Sequence, residues 1–225
     1  MPSEHFPQLR DPHSGSQGAS ARTRDEAMRV RAGWRNSRAA KVLRSIGIAV
    51  LAVVLTIGAY AGILQLTGNF HPVIAATLYR SAQPSAAEIR RYHAVYGIRT
   101  IINLRGEHDR ASWYEAEATE AKRLGITLIN FEMSAGQQLT QDRAAKLVAI
   151  LKHAEKPILI HCKGGADRSG LASALYLAAV AKQGEQAAES QISIRYGHIS
   201  LPFAPAYAMD LTFEALEPWL GFPHS

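Results

Sequence analysis

The 225-residue chain has a single cysteine, Cys162, so it has no internal disulfide, and the cysteine count leaves the redox compartment open. It lacks any His, Cys, Asp and Glu grouping at metal-ligand spacing, which predicts no metal, and nothing in it calls for a cofactor. Internal repeats are absent, and residues 70–225 suffice for one domain with a core of its own. An even spread of positive charge is missing too. Residues 1–45 hold nine Lys and Arg against four Asp and Glu, whereas the other 180 residues hold sixteen against fifteen. The formal net charge of +6 therefore belongs to the N-terminal end, and a nucleic-acid partner is not indicated.

The N-terminal end divides in two. Residues 1–44 are basic, rich in Ser, Pro, Arg and Gly, and read as a disordered tail. Residues 45–66, SIGIAVLAVVLTIGAYAGILQL, lie inside a stretch with no charge between Arg44 and Arg80. About 20 helical residues at ~1.5 Å each span the ~30 Å hydrocarbon core of a bilayer, so 45–66 reads as a transmembrane signal anchor. Arg29, Arg31, Arg35, Arg38, Lys41 and Arg44 crowd its N-terminal flank, which puts the N-terminus in the cytoplasm and the rest outside. In a bacterium this is a single-pass inner-membrane protein with a periplasmic domain. Cleavage after the small-x-small pattern Ala59-Tyr60-Ala61 is the alternative and would release the domain; Met28 is a possible second start.

Residues 70–225 alternate strand and helix patterns. Strands are expected at 77–82, 98–104, 126–131 and 157–162. Helices are expected at 85–97, opened by Ser85 and Glu88 at capping-box spacing, at 111–125, at 140–155 with Thr140 as N-cap, and further on at 169–182, 185–195 and 204–220. This is an α/β pattern, with a mainly parallel central sheet flanked by helices. PILIHC, 157–162, shows no polar alternation until its end and should be a central strand buried on both faces. Sites in such sheets lie beyond the carboxyl ends of the strands. Cys162 sits at such an end.

Cys162 leads into a short loop, Lys163-Gly164-Gly165-Ala166-Asp167, then Arg168-Ser169 and a helical pattern. Gly164 and Gly165 permit a tight turn with φ > 0, so that successive N–H groups face one point as an anion nest. The helix N-terminus adds free N–H groups and the positive end of its dipole. Arg168 brings a planar fork that matches two phosphate oxygens. A sulfur at this focus is favoured as thiolate. A nucleophile is thus paired with an oxyanion cradle. The Gly-Lys-Ser/Thr ending of a nucleotide-binding loop is missing.

The stretch His161-Cys162-Lys163-Gly164-Gly165-Ala166-Asp167-Arg168-Ser169-Gly170 resembles the Cys-x5-Arg-Ser/Thr signature of the cysteine-dependent tyrosine and dual-specificity phosphatases. LYRSAQP (78–84) and INLRGE (102–107) are similar to the small bacterial and fungal members, and the likeness covers about 72–197. It implies that Cys162 attacks phosphorus to form a phosphocysteine. Arg168 and the amides of Lys163, Gly164, Gly165 and Ala166 would hold the phosphate, Ser169 would bond the sulfur, and His161 would stiffen the loop. The family's general acid is usually an aspartate on a separate loop some thirty residues earlier. That region reads EMSAGQQLTQD, with Glu132 and Asp142 at its ends and no aspartate between. Some relatives, lipid phosphatases among them, carry an aspartate just before the loop arginine, where Asp167 stands here. Asp167 is therefore the first choice for the acid, Asp142 the second and Glu132 the third. The implied substrate is a phosphorylated protein. A phospholipid or sugar-lipid phosphate is the alternative, and a phosphate-binding module without turnover is a third reading. Arg80 and Arg105 stand near strand ends, either in surface ion pairs or at the pocket rim; Trp113 reads as packing.

Overall fold

A computed structural model describes residues 16–222. Five strands form one sheet: β1 (His71–Ile74), β2 (Leu78–Ser81), β3 (Thr100–Asn103), β4 (Thr127–Asn130) and β5 (Ile158–His161). Their order is β1-β2-β5-β3-β4, parallel throughout except for the antiparallel edge strand β1. The α/β expectation holds, and β5 is the middle strand. All four of its residues are buried, because helices cover both sheet faces. The sequence reading missed β1; HPVI is short, carries a proline and lies at the edge, where a missing N–H is tolerated.

The helices follow the strands at the expected places. They are α2 (Ala86–Tyr96), α3 (Ser112–Leu124), α4 (Gln141–His153), α5 (Asp167–Leu175), α6 (Glu185–Glu189) and α7 (Ala208–Leu220). Ser85 and Glu88 close a reciprocal capping box at the start of α2, and Gly97 ends it at φ +68°, a left-handed conformation that costs glycine little. Thr140 caps α4 through the Arg143 amide. α5 runs on into a π-helical turn at Tyr176–Val180.

Two apolar cores result. One packs Leu78, Ile102, Ile158 and Ile160 against Leu147, Leu171, Leu175, Phe213 and Leu216 of α4, α5 and α7. The other packs Tyr79, Ile101 and Leu159 against Ile89, Tyr92 and Ala121 of α2 and α3. The two-residue period of β5 thus sends Ile158 and Ile160 to one face and Leu159 to the other, and the alternation decides where the next two side chains go.

The long helix α1 runs over Ser16–Leu66. Its start departs from the expected disordered tail: residues 16–44 are helical, and 1–15 lie outside the described residues. No proline interrupts the chain between Pro12 and Pro72, and Ala and Arg, which favour helix, are frequent there. Arg38–Leu66 is long and apolar enough to cross a membrane, and its apolar side chains from Val42 to Val54 are exposed. The chain divides into two units after Gly58, so the last two turns of α1, from Ala59, belong to the unit that carries the sheet. The sequence reading placed that division after 66 instead.

The capping box makes a local prediction. Ser85→Ala removes the hydroxyl that accepts the Glu88 amide and should lower stability by about 0.5–2 kcal/mol, read as a shift in the urea midpoint with no change in slope.

Candidate active site

Beyond β5 the chain forms a loop whose carbonyls are all held from outside. The Lys163 carbonyl accepts the Gln83 amide at 3.3 Å. Asn69 Nδ2 donates to the Gly164 carbonyl at 2.9 Å. Arg80 donates through one terminal nitrogen to the carbonyls of Gly165 at 3.0 Å and Ala166 at 2.8 Å. In a trans peptide the N–H points opposite to the carbonyl it is joined to. Four carbonyls drawn outward therefore turn the amides of residues 164–167 inward, to the side of the cysteine. Gly165 N–H donates to Cys162 Sγ at 3.2 Å, and Ser169 Oγ stands 3.5 Å from the same sulfur. The cysteine is 2% exposed, at the bottom of the loop.

Gly165 is the glycine this geometry requires. Its φ is +70°, and a Cβ there would lie 2.5 Å from the Ala82 amide nitrogen on β2's extension. The expectation that Gly164 shares this need is not met: a Cβ at Gly164 would meet nothing within 4 Å, and its φ is not in the left-handed region. Gly170 is needed for space, since a Cβ would come within 2.8 Å of the Gln191 carbonyl.

Arg80 is fully buried behind the loop, neither in a surface ion pair nor at the rim. It also donates to the Gln191 carbonyl at 2.7 Å, and its guanidinium lies 4.0 Å from the Tyr196 ring centroid. Burial pushes its pKa down to about 10, while Tyr196, Cys162 and Asp167 oppose the fall. It is charged at neutral pH and sits behind the sulfur.

His161 points to the other side of the sheet. Its Nε2 donates to Glu117 Oε1 of α3 at 2.6 Å, both side chains being fully buried. Glu117 also accepts from Gln83 Nε2 at 2.9 Å, and Arg105 donates to Gln83 Oε1 at 2.8 Å. The Arg105 guanidinium lies 3.4 Å from the ring centroid of Trp113, so Trp113 packs beneath an arginine. Burial and the like charge of Arg168 lower the Arg105 pKa, while Glu117 and Cys162 raise it. Arg105 thus lies within the field of the cysteine and Arg168.

Arg168 reaches the carbonyls of Leu104 at 3.4 Å and Met133 at 3.3 Å, and its Nε is buried without a hydrogen-bond partner among the described residues. Met133 belongs to the segment 132–139, which lines a cleft of about 250 Å³ with Ser134, Gln137 and Arg143. Lys163 is exposed at the loop tip, and Ala166 is buried. Glu132 and Asp142 are exposed. Glu132's carbonyl accepts from Arg143, and Asp142 lies in the first turn of α4. Among the described residues no group of three or more His, Cys, Asp and Glu side chains is arranged to hold a metal ion.

Asp167 opens α5 and is 31% exposed. Its Oδ1 accepts from Nδ1 of the buried His198 at 2.8 Å, and His198 Nε2 donates to Asp210 Oδ2 at 2.8 Å. Ser200 donates to the other oxygen of Asp210 at 2.7 Å. Burial disfavours the imidazolium, but the two carboxylates outweigh it and raise the His198 pKa above its ordinary value. Sequence reasoning missed His198, Asp210, Glu117 and Asn69. Nothing local marks them: His198, Glu117 and Asn69 lie more than 30 residues from the loop groups they support, and Asp210 reaches the loop only through His198. It also left the role of Arg80 open.

A family model for the dual-specificity phosphatase domain found fused to NAD+ kinase matches residues 67–200. The chain belongs to the cysteine-based dual-specificity phosphatases. Solved structures show the same fold. P. aeruginosa TpbA matches at 23% identity and a TM-score of 0.52, over 69% of this chain and 92% of TpbA. A cysteine-to-serine form of TpbA in complex with phosphotyrosine matches at 20% identity and a TM-score of 0.53, over 69% of this chain and 91% of the other. The catalytic core of the S. cerevisiae PP-IP phosphatase SIW14 matches at 21% identity and a TM-score of 0.50, over 69% and 94%. No curated protein matches the chain. The matched span 67–200 contains the whole loop from Cys162 to Arg168.

Two substitutions in this phosphatase probe the loop and its support. Gly165→Ala should cut turnover of an aryl phosphate by a hundredfold or more, roughly the cost of losing an oxyanion-type donor, while the melting transition stays cooperative. The His198 pKa is raised on folding, so the stability it contributes is complete below its unfolded value of about 6.5 and is lost as pH rises through the raised folded value. His198→Gln should therefore destabilise by about 1–3 kcal/mol at pH 6 and by clearly less at pH 9, measured as the difference in urea midpoints.

Proposed function

We propose that the chain is a membrane-anchored phosphomonoester hydrolase that works through a phosphocysteine on Cys162, with phosphotyrosine or phosphoserine/threonine of proteins as substrate. The observation that carries the reading is the sulfur itself. It accepts the Gly165 amide, faces the Ser169 hydroxyl, and stands inside a ring of inward-turned amides closed by Arg168. The complex of TpbA with phosphotyrosine supports a phosphotyrosine substrate for a loop of this kind.

The reaction has two displacements. The Cys162 thiolate forms a sulfur–phosphorus bond as the phosphorus–oxygen ester bond breaks, and the leaving oxygen takes a proton. The amides of 164–167 and the Arg168 guanidinium, whose Nε has no protein partner among the described residues, hold the equatorial oxygens. Water then attacks phosphorus, the sulfur leaves as thiolate next to the Ser169 hydroxyl, and orthophosphate departs. Asp167 is the donor we assign to the leaving oxygen. What supports it is His198: an imidazolium one hydrogen bond behind Asp167 stores the proton that Asp167 passes on, and Asp210 holds the other side of the ring. In the second displacement the proton from water returns along the same path. Glu132 and Asp142 have no such supply among the described residues.

The full chain tests this. Cys162→Ser should abolish turnover while orthophosphate still binds, and a tenth or more of the activity remaining would exclude covalent catalysis. Asp167→Asn should cost about 10²–10⁴ in rate on a serine phosphate, a poor leaving group, and far less on an activated aryl phosphate. Asp142→Asn and Glu132→Gln should each cost less than about tenfold on both. A screen of phosphotyrosine peptides, phosphoserine peptides and phospholipids decides the substrate. Turnover of phospholipids alone would replace the protein substrate with a lipid phosphate.

A further inference from the structure

Between Glu189 and Asp210 the chain has no acidic residue and one arginine, Arg195. Part of this segment supports the catalytic loop. The Tyr196 ring lies against Arg80, its carbonyl accepts from Asn69 at 2.8 Å, and His198 holds Asp167. The other part faces out. Ile194, Ile199, Leu201 and Phe203 are exposed to 70, 52, 40 and 83%. Scattered exposed apolar residues need no explanation, but four large ones within ten residues of one loop mark a contact surface.

The structure also shows what lies next to that surface. The Tyr60 hydroxyl donates to the Arg195 carbonyl at 2.6 Å. Leu64 lies against Gly197, its Cδ1 3.2 Å from where a Cβ would stand. Tyr60 is six residues before the end of α1 at Leu66, which is about 9 Å down the helix axis. A loop bonded that far down an apolar helix stands at the level of the lipid headgroups when the helix crosses a bilayer. Tyrosine favours that level. A segment with no carboxylate and an exposed arginine suits an anionic lipid surface.

We propose that loop 194–203 is a membrane-docking surface, with Ile194, Ile199, Leu201 and Phe203 seated in the interfacial layer of the bilayer that holds α1. The proposal rests on the reading of α1 as a membrane span. The occupant is the lipid surface, since the loop is bonded to the last turns of the helix that would leave the apolar layer. Because the same loop carries Tyr196 and His198, docking fixes the catalytic pocket at a set height and orientation above the lipid.

The test uses the full chain in vesicles of phosphatidylethanolamine and phosphatidylglycerol. Cys162→Ser removes the native thiol, and nitroxides are attached one at a time at Val54→Cys, Ile199→Cys, Phe203→Cys and Glu155→Cys. Collision with oxygen is compared with collision with a water-soluble nickel chelate. Val54, Ile199 and Phe203 should favour oxygen several-fold relative to Glu155, a residue with a side chain 69% exposed at the far end of β5. An aqueous pattern at Phe203 with Val54 in lipid overturns the docking surface and leaves the anchor standing. An aqueous pattern at Val54 overturns the anchor, and the docking surface with it.

Discussion

The site depends on one buried guanidinium. Arg80 stands under the loop with no ion-pair partner among the described residues, and its charge is spread over the carbonyls of Gly165, Ala166 and Gln191 and the face of Tyr196. Burying a charge is costly unless its hydrogen bonds are met. Here the bonds of the two terminal nitrogens, with Nε buried and unpartnered among the described residues, fix the direction of the peptide planes above it, and so the direction of the amides that face Cys162. A lysine would supply one point charge in place of a planar fork, one nitrogen of which holds the Gly165 and Ala166 carbonyls and the other the Gln191 carbonyl.

Sheet register brings the arginine there. β2 lies parallel beside β5 with Arg80 opposite Ile160 and Ser81 opposite His161, so a side chain on β2 reaches the loop that begins one residue later. On the other side β3 sets Asn103 opposite His161. The turn after it delivers Arg105 to Gln83 and Trp113. His161 and Cys162, adjacent in sequence, point to opposite faces of the sheet. One is tied to α3 through Glu117 and the other opens into the loop. The middle strand therefore anchors the loop on one face and presents Cys162 to it on the other, at the carboxyl end of a parallel strand.

Carboxylates near the loop are each given a histidine: Glu117 holds His161, and Asp167 and Asp210 share His198. Asp167 differs from Glu117 in being partly exposed, and its partner His198 is linked outward through Asp210 to Ser200. The partners of Arg80 and of Asp167 therefore come from the same segment, residues 190–210, which also carries exposed apolar side chains.

The sequence by itself determined what is local. Strand β5, the loop and helix α5 are continuous, so Cys162, Arg168 and Ser169 were legible as one unit from their spacing. The helix ends at Ser85, Gly97, Gly125 and Thr140 were legible because caps are made within a few residues. Other features were decided only by the tertiary structure. Arg80 lies on a strand whose four residues are all buried, so no alternation shows which face it takes. Glu117 looks like any charge on an amphipathic helix until α3 packs over β5. His198 and Asp210 lie on a loop and a helix start that reach Asp167 only when α7 packs against α5. Gly164 and Gly165 read alike in sequence, and the approach of β2 separates them. The helical start of α1 was misread because basic composition resembles that of disordered chain, while propensity and the absence of proline favour helix. Spacing along the chain fixes groups that share one element; groups that meet across elements are fixed by packing, since the side-chain directions that bring them together are set by register and by which face is buried.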